Sequence, residues 1–283
     1  MKRIFKVFGI LALILATGCG EAGKMNANAD TAGGMFSAAP STEVGTPGLM
    51  YGTTHGGYEV IGYDGPEGDV IIPDEYEGYP VVAIADGAFR DAQIDSVTLG
   101  VNIKTIEDHA FSRCKYLEKV RLNAGLEEID YNAFSDCDAL RSVILPRDCS
   151  LKEIDTCAFF RCSSLETFEV PLSCTYLGTS VFKGCTGLRE VTFPENWEGC
   201  IDGSCFEGCT ALSSIEIPSL TALGMGAFAG WNKTQSIRIG CSEEQVKFCY
   251  SGYLYEQSFL TNNGRSLYDV WFADCEAAYT FGG

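Results

Sequence analysis

A repeat constrains this chain more than any other feature. Phe89, Phe111, Phe134, Phe159, Phe182, Phe206 and Phe228 follow one another at intervals of 22, 23, 25, 23, 24 and 22 residues. Each follows a small or apolar residue: Ala88, Ala110, Ala133, Ala158, Val181, Cys205 or Ala227. Five positions earlier stands an aliphatic: Ile84, Ile106, Ile129, Ile154, Leu177, Ile201, Leu223. Three positions later, five copies carry Cys114, Cys137, Cys162, Cys185 and Cys209, and six positions later the same copies carry Leu117, Leu140, Leu165, Leu188 and Leu212. An alternating apolar pair follows, as at Val143 and Leu145 or Ile215 and Ile217, and reads as a strand with one face turned inward. A unit this short cannot bury its own apolar face. Stacked copies can, because every repeated apolar position then becomes a ladder inside one continuous core. Rungs about 4.8 Å apart predict a body of roughly 34 Å for seven copies, before caps. The end copies depart from the pattern, with Ala92 in the first cysteine slot and Trp231 and Thr234 in the last cysteine and leucine slots. Such departures are expected of capping repeats.

This register resembles the BspA-like leucine-rich repeats of bacterial surface proteins. The segment from Tyr58 to Val82 resembles the N-terminal lead-in of that family, and the likeness extends over about residues 57–240. The resemblance implies a leucine-rich repeat solenoid: parallel strands joined by short helical or irregular turns, in about seven rungs of 22–25 residues plus caps. On this reading residues 49–83 are a strand-rich N-terminal cap, 84–240 the solenoid and 241–283 an aromatic C-terminal cap.

Residues 1–18 read as a secretory signal. Lys2, Arg3 and Lys6 precede an apolar stretch from Val7 to Ala16, which is too short to span a bilayer. Ala16-Thr17-Gly18-Cys19 looks like a bacterial lipobox, with Leu15 one place earlier than the usual leucine, so Cys19 is the expected lipidation site. Residues 19–48, rich in Gly, Ala, Asn, Ser and Thr, read as a flexible tether. Loss of Lys2, Arg3 and Lys6 on maturation takes the formal charge from −18 to −21. An acidic chain argues against nucleic acid as a partner, because that binding needs a cationic footprint. It also leaves lipid as the sole hold on the membrane. The expected location is the bacterial cell envelope, at the outer membrane and exposed at the surface.

The chain has 14 cysteines. Those of the ladder read as small buried hydrophobes. Cys149 and Cys174 both lie fifteen residues after their phenylalanine, which would place them on adjacent rungs about 5 Å apart, and they are expected to form a disulfide. The outward side of the strands gives a candidate binding face: Lys119, Arg121, Ile144, Glu169, Glu190, Thr192, Glu216 and Arg238. Trp197, in an insertion after Pro194, is expected to be exposed in a loop and to join that surface. Glu107, Asp130, Asp155 and Asp202, each one residue past a repeated aliphatic, form an acidic stripe. Stacked carboxylates repel, and a hard cation would relieve them. The alternatives are capping of the turn that follows, or plain solvation.

Two histidines leave little room for histidine chemistry, and none of the common catalytic motifs is present. No cofactor is expected. The resemblance implies non-enzymatic binding of an extracellular or envelope protein or a glycan. A polysaccharide-active parallel β-helix enzyme and a structural periplasmic lipoprotein are the alternatives.

Overall fold

The computed structural model describes residues 45–250, 252–255 and 267–282. The signal segment, Cys19 and most of the expected tether lie outside the described residues. The lead-in is a set of five strands: β1 (Leu49–Thr54), β2 (Gly57–Tyr63), β3 (Gly68–Ile71), β4 (Glu75–Tyr76) and β5 (Tyr79–Ile84). The repeats follow, each contributing two strands: β6 (Ile94–Thr98), β7 (Thr105–Ile106), β8 (Lys119–Arg121), β9 (Glu128–Ile129), β10 (Ser142–Ile144), β11 (Glu153–Ile154), β12 (Thr167–Glu169) and β13 (Tyr176–Leu177). The series continues through β14 (Glu190–Thr192), β15 (Gly199–Ile201), β16 (Ser214–Ile217), β17 (Leu220–Gly224), β18 (Ser236–Ile239), β19 (Lys247–Tyr250), β20 (Tyr253–Tyr255) and β21 (Ala278–Phe281). A 3-10 turn (Glu243–Gln245) precedes β19, and a short helix, α1 (Leu267–Trp271), precedes β21.

The odd-numbered strands of the repeats build one long sheet. Its order is β1-β2-β5-β7-β9-β11-β13-β15-β17-β19-β20, with β4 beside β5 to make twelve strands. Between repeats the pairing is parallel, and an antiparallel hairpin closes each end. The even-numbered strands of the repeats, together with β3 and β21, form three shorter sheets, β10-β8-β6-β3, β12-β14 and β16-β18-β21. The first break falls after β10, inside the longest repeat, the 25 residues from Phe134 to Phe159.

The repeat positions become ladders in the core. Phe89 through Phe228 stack at 4.8, 5.1, 5.3, 5.7, 5.5 and 5.7 Å between ring centroids, with planes within 13° of parallel. Tyr63 closes the stack at the N-terminal end, 5.2 Å from Phe89. The expected parallel-strand solenoid is the observed one. Its connections are turns, with almost no helix.

Among the described residues the rungs number eight. Phe272 stacks on Phe228 at 6.2 Å, and the 44 residues between them are two repeat lengths. Cys275 occupies the cysteine slot three residues on, while β19 and β21 extend both sheets by one strand. This last rung hides its period because Phe248, its inward strand residue, stands 24 positions before Phe272 where other copies have five. An insertion separates the two halves of the rung, and β20 is part of it.

A turn column of the repeats requires left-handed backbone. His109, Asn132, Cys157, Ser180 and Ser204, each two residues before its phenylalanine, have φ between 54° and 60°. Gly87 and Gly226 fill the same slot at the ends. The slot is therefore selected for backbone shape, which side chains other than glycine adopt at some cost. The residue type there varies for that reason, and His109 and Cys157 share a conformation, not a chemistry.

Candidate functional site: the outer face of the long sheet

Strand register places three outward columns on the twelve-stranded sheet. The first runs Thr105, Glu128, Glu153, Tyr176, Cys200, Ala222, Lys247. The second, two residues further along each rung and one past the inward aliphatic, runs Glu107, Asp130, Asp155, Gly178, Asp202, because each amide bonds the carbonyl of the preceding rung's inward residue. The third begins with Asp86, Asp108 and Tyr131.

The N-terminal half of this face stacks like charges. Glu128 lies directly across from Glu153, and Glu107, Asp130 and Asp155 rise rung by rung beside them. Partial burial among these neighbours pushes the Asp130 carboxyl up to about 7, with Glu128 adding to the rise. Burial also raises Glu107, with Glu59 as the next cause, Asp108, with Asp86, and Glu153, with Glu128. Part of the cause is the repulsion that like charges on adjacent strands create, and protonation of Asp130 would relieve it. Two other charged columns of the solenoid alternate in sign. Asp91 pairs with Arg113 at 3.0 Å, Asp136 with Arg161 at 3.6 Å, and Glu127 sits between Lys104 and Lys152.

The C-terminal half of the same face is covered. The Asp202 side chain is buried. Its Oδ2 accepts hydrogen bonds from Tyr176 Oη at 3.1 Å and from the Gly252 amide at 2.8 Å, while Oδ1 accepts the Gly203 amide at 2.6 Å. Gly252 is the turn of the β19–β20 hairpin, so one carboxyl clamps the insertion onto the sheet. Gly252 has φ +79° and a Cβ there would lie 3.4 Å from the Tyr176 hydroxyl, which favours glycine. Burial, reinforced by the Asp202 charge, drives the Tyr176 phenol upward and keeps it a donor. Cys200, Ala222 and Cys249 pack beside Tyr176 as a small cluster of their own.

The stripe of Glu107, Asp130, Asp155 and Asp202 is therefore two arrangements. Among the described residues no three carboxylate, thiol or imidazole groups converge as a metal ion requires. Asp155 Oδ1 accepts its own turn's Thr156 amide at 2.5 Å, as Asp202 does for Gly203, so the turn-capping alternative describes these two residues.

The expected binding residues Lys119, Arg121, Ile144, Glu169, Glu190, Thr192, Glu216 and Arg238 all lie on the even-numbered strands. They align in register, with Arg121 beside Ile144 and Glu169 beside Thr192, and Glu216 reaches Arg238 at 3.8 Å. The face they occupy is divided among three sheets.

Trp197 is not exposed. It is fully buried, and its Nε1 donates to the Cys174 carbonyl at 2.6 Å. The insertion after Pro194 folds inward because the indole satisfies a carbonyl of the preceding rung while filling core volume.

Cys149 and Cys174 are both free thiols in the structure. Cys149 Sγ lies 4.0 Å from Ser173 Oγ, and Cys174 Sγ donates to the Tyr176 carbonyl at 3.5 Å. Counting from the phenylalanine misaligned them, because this repeat is lengthened. Counted back three from the inward aliphatic, Cys174 matches Leu151, Leu126 and Ile103, all fully buried.

The ladder cysteines Cys114, Cys137, Cys162, Cys185 and Cys209 are fully buried, as expected, but they are more than small hydrophobes. Each thiol donates to the phenylalanine carbonyl of the preceding rung at 3.0–3.2 Å, to Phe89, Phe111, Phe134, Phe159 and Phe182 in turn. Trp231, in the same slot of the next copy, gives its Nε1 to the Phe206 carbonyl at 2.9 Å. A slot that accepts Cys or Trp is thus a donor slot, a signal the sequence carried without its meaning.

The sequence matches the BspA type leucine rich repeat region over residues 82–200 and 199–281, in six copies. Among solved structures the chain is similar to a leucine-rich repeat protein of T. pallidum, at 30% identity over 67% of this chain and 89% of that one, with a TM-score of 0.60. It is also similar to a leucine rich cell surface protein of Faecalibacterium prausnitzii, at 26% identity over 77% of this chain and 59% of that one, with a TM-score of 0.61. A leucine-rich repeat protein of Bacteroides ovatus shares the fold at 22% identity and a TM-score of 0.54, over 83% of this chain and 77% of that one. No curated protein matches the chain.

Proposed function

The chain belongs to the BspA type leucine-rich repeat family, and from that premise we propose that it is a non-enzymatic binding protein of the bacterial cell surface, held there by lipid on Cys19 and capturing a protein of the host or of a neighbouring cell. The observation that carries the reading is the twelve-stranded sheet, an unbroken platform whose outer side chains are set by register across the whole solenoid. Solenoids of this kind bind through such extended surfaces. Like charges stacked on adjacent strands lower stability, and two other columns of this solenoid avoid that by alternating sign, so the acidic column is retained at a cost that binding would explain. The printed description of the Faecalibacterium protein as a cell surface protein supports the location.

Protease shaving of intact cells, followed by blotting for the solenoid, tests the proposal. Loss of the solenoid from unbroken cells is the expected result. Protection until the cells are lysed would place the chain inside the envelope and end the adhesive reading.

A further inference from the structure

We infer that the outer face of the long sheet takes an extended polypeptide segment carrying two basic side chains followed by an apolar one. The inference rests on the binding reading above and adds the chemistry of the partner.

The first support is the insertion in the eighth rung. Insertions in a solenoid gather on one face, often the binding one. Its β19–β20 hairpin reaches the outer face of the twelve-stranded sheet through Gly252 and leaves Tyr250, Tyr253 and Leu254 54%, 60% and 49% exposed. Apolar side chains on a hairpin would cost entropy to order on binding. Here the Asp202 clamp through Gly252 and Tyr176 fixes the hairpin beforehand, which is the preorganisation a docking site needs.

The second support is charge complementarity. The open half of the face carries Glu107, Glu128, Asp130, Glu153 and Asp155, with Lys104 and Lys152 held aside by Glu127 at the margin. Basic side chains laid over the stacked carboxyls would replace the mutual repulsion with attraction.

The third support is dimensional. From the Asp130 rung to the Asp202 rung there are three steps, or about 14 Å at the spacing of paired strands. An extended chain covers that in about four residues, and its alternate side chains face one way about 6.8 Å apart. Basic residues at positions i and i+2 with an apolar residue near i+6 fit the acidic half and the hairpin together.

The test is fluorescence anisotropy of the purified full chain with the labelled probe Lys-Ser-Lys-Ser-Gly-Ser-Phe. Saturable binding is expected, weakened about tenfold when both lysines become glutamate or when the phenylalanine becomes serine. The double change D130N with D155N should weaken binding about tenfold and flatten its salt dependence, while Y253S with L254S should weaken it without changing that dependence. Both pairs are at the surface or relieve repulsion, so the fold survives them. Absence of binding, or binding indifferent to both pairs, overturns the inference. If shaving shows the solenoid on the surface while the probe fails, the inference alone falls. Protection from shaving overturns the reading beneath it.

Discussion

The two halves of the long sheet's outer face hold carboxyl groups in the same column and treat them in opposite ways. Asp130 meets other acids across its strand pairs and is pushed up to about 7 by burial and by Glu128. Asp202, two rungs beyond Asp155 in that column, meets three donors and a covering hairpin. The backbone is equivalent in both places. The difference is what lies above the sheet, and it teaches that a column's chemistry is decided by its cover, not by its position in the repeat. The uncovered half keeps a destabilising arrangement, and the covered half converts the same residue type into a structural clamp.

Removing the clamp should have the largest effect. Asp202→Ala strands the Tyr176 hydroxyl and the Gly203 and Gly252 amides, and a loss of about 3 kcal/mol is expected in chemical denaturation. Limited proteolysis of that variant should open first at the β19–β20 hairpin. If the variant is as stable and as resistant as the parent, the hairpin is held by something else and the contrast between the halves fails.

Tyr176→Phe tests the same clamp more gently, leaving Asp202 one donor short. About 1 kcal/mol should be lost, in line with a single hydrogen bond. An unchanged midpoint would assign the clamp to the two amides.

In the open half the sign reverses. Asp130→Asn should stabilise the chain at pH 8 by about 1 kcal/mol after allowing for solvent screening. A carboxyl raised in the folded state contributes stability that is complete below its ordinary value near 3.8 and is lost as pH rises through about 7. The advantage of the asparagine variant should therefore shrink to nothing by pH 4. A constant difference between the two pH values would show that the substitution acts through packing.

Salt should act least. Raising ionic strength from 0.05 to 0.5 M, in this design, should raise the parent's stability by a few tenths of a kcal/mol through screening of the open half, and Asp130→Asn should lose most of that gain. Equal salt responses in the two proteins would move the repulsion elsewhere.

Much of the fold was legible because the repeat imposes the same burial on each copy. The phenylalanine, aliphatic and cysteine positions all became ladders, and the alternation after each leucine became a strand. What the sequence reading missed lay where a copy changes length. The repeat from Phe134 to Phe159 shifted the apparent partner of Cys174, and the split rung concealed Phe272 and Cys275 as an eighth copy. Trp197 looked like a loop residue because its insertion breaks the period, yet the indole serves a core carbonyl.

The candidate site was legible in part. Glu107, Asp130, Asp155 and Asp202 were visible as a stripe, and rung stacking alone put them in one column. Their separate fates were not visible, because Tyr176 and Gly252 come from distant parts of the chain, 26 and 50 residues from Asp202.

By itself, then, the sequence determined the solenoid, the inward ladders and the acidic column, since a period of 22–25 residues with fixed apolar slots leaves stacking as the one way to bury them. The tertiary structure decided which sheet runs unbroken, where an insertion settles and which carboxyls are covered. Those depend on contacts between rungs of unequal length and on a hairpin folding back across several of them, and no local pattern encodes a distance between residues that the chain itself keeps far apart.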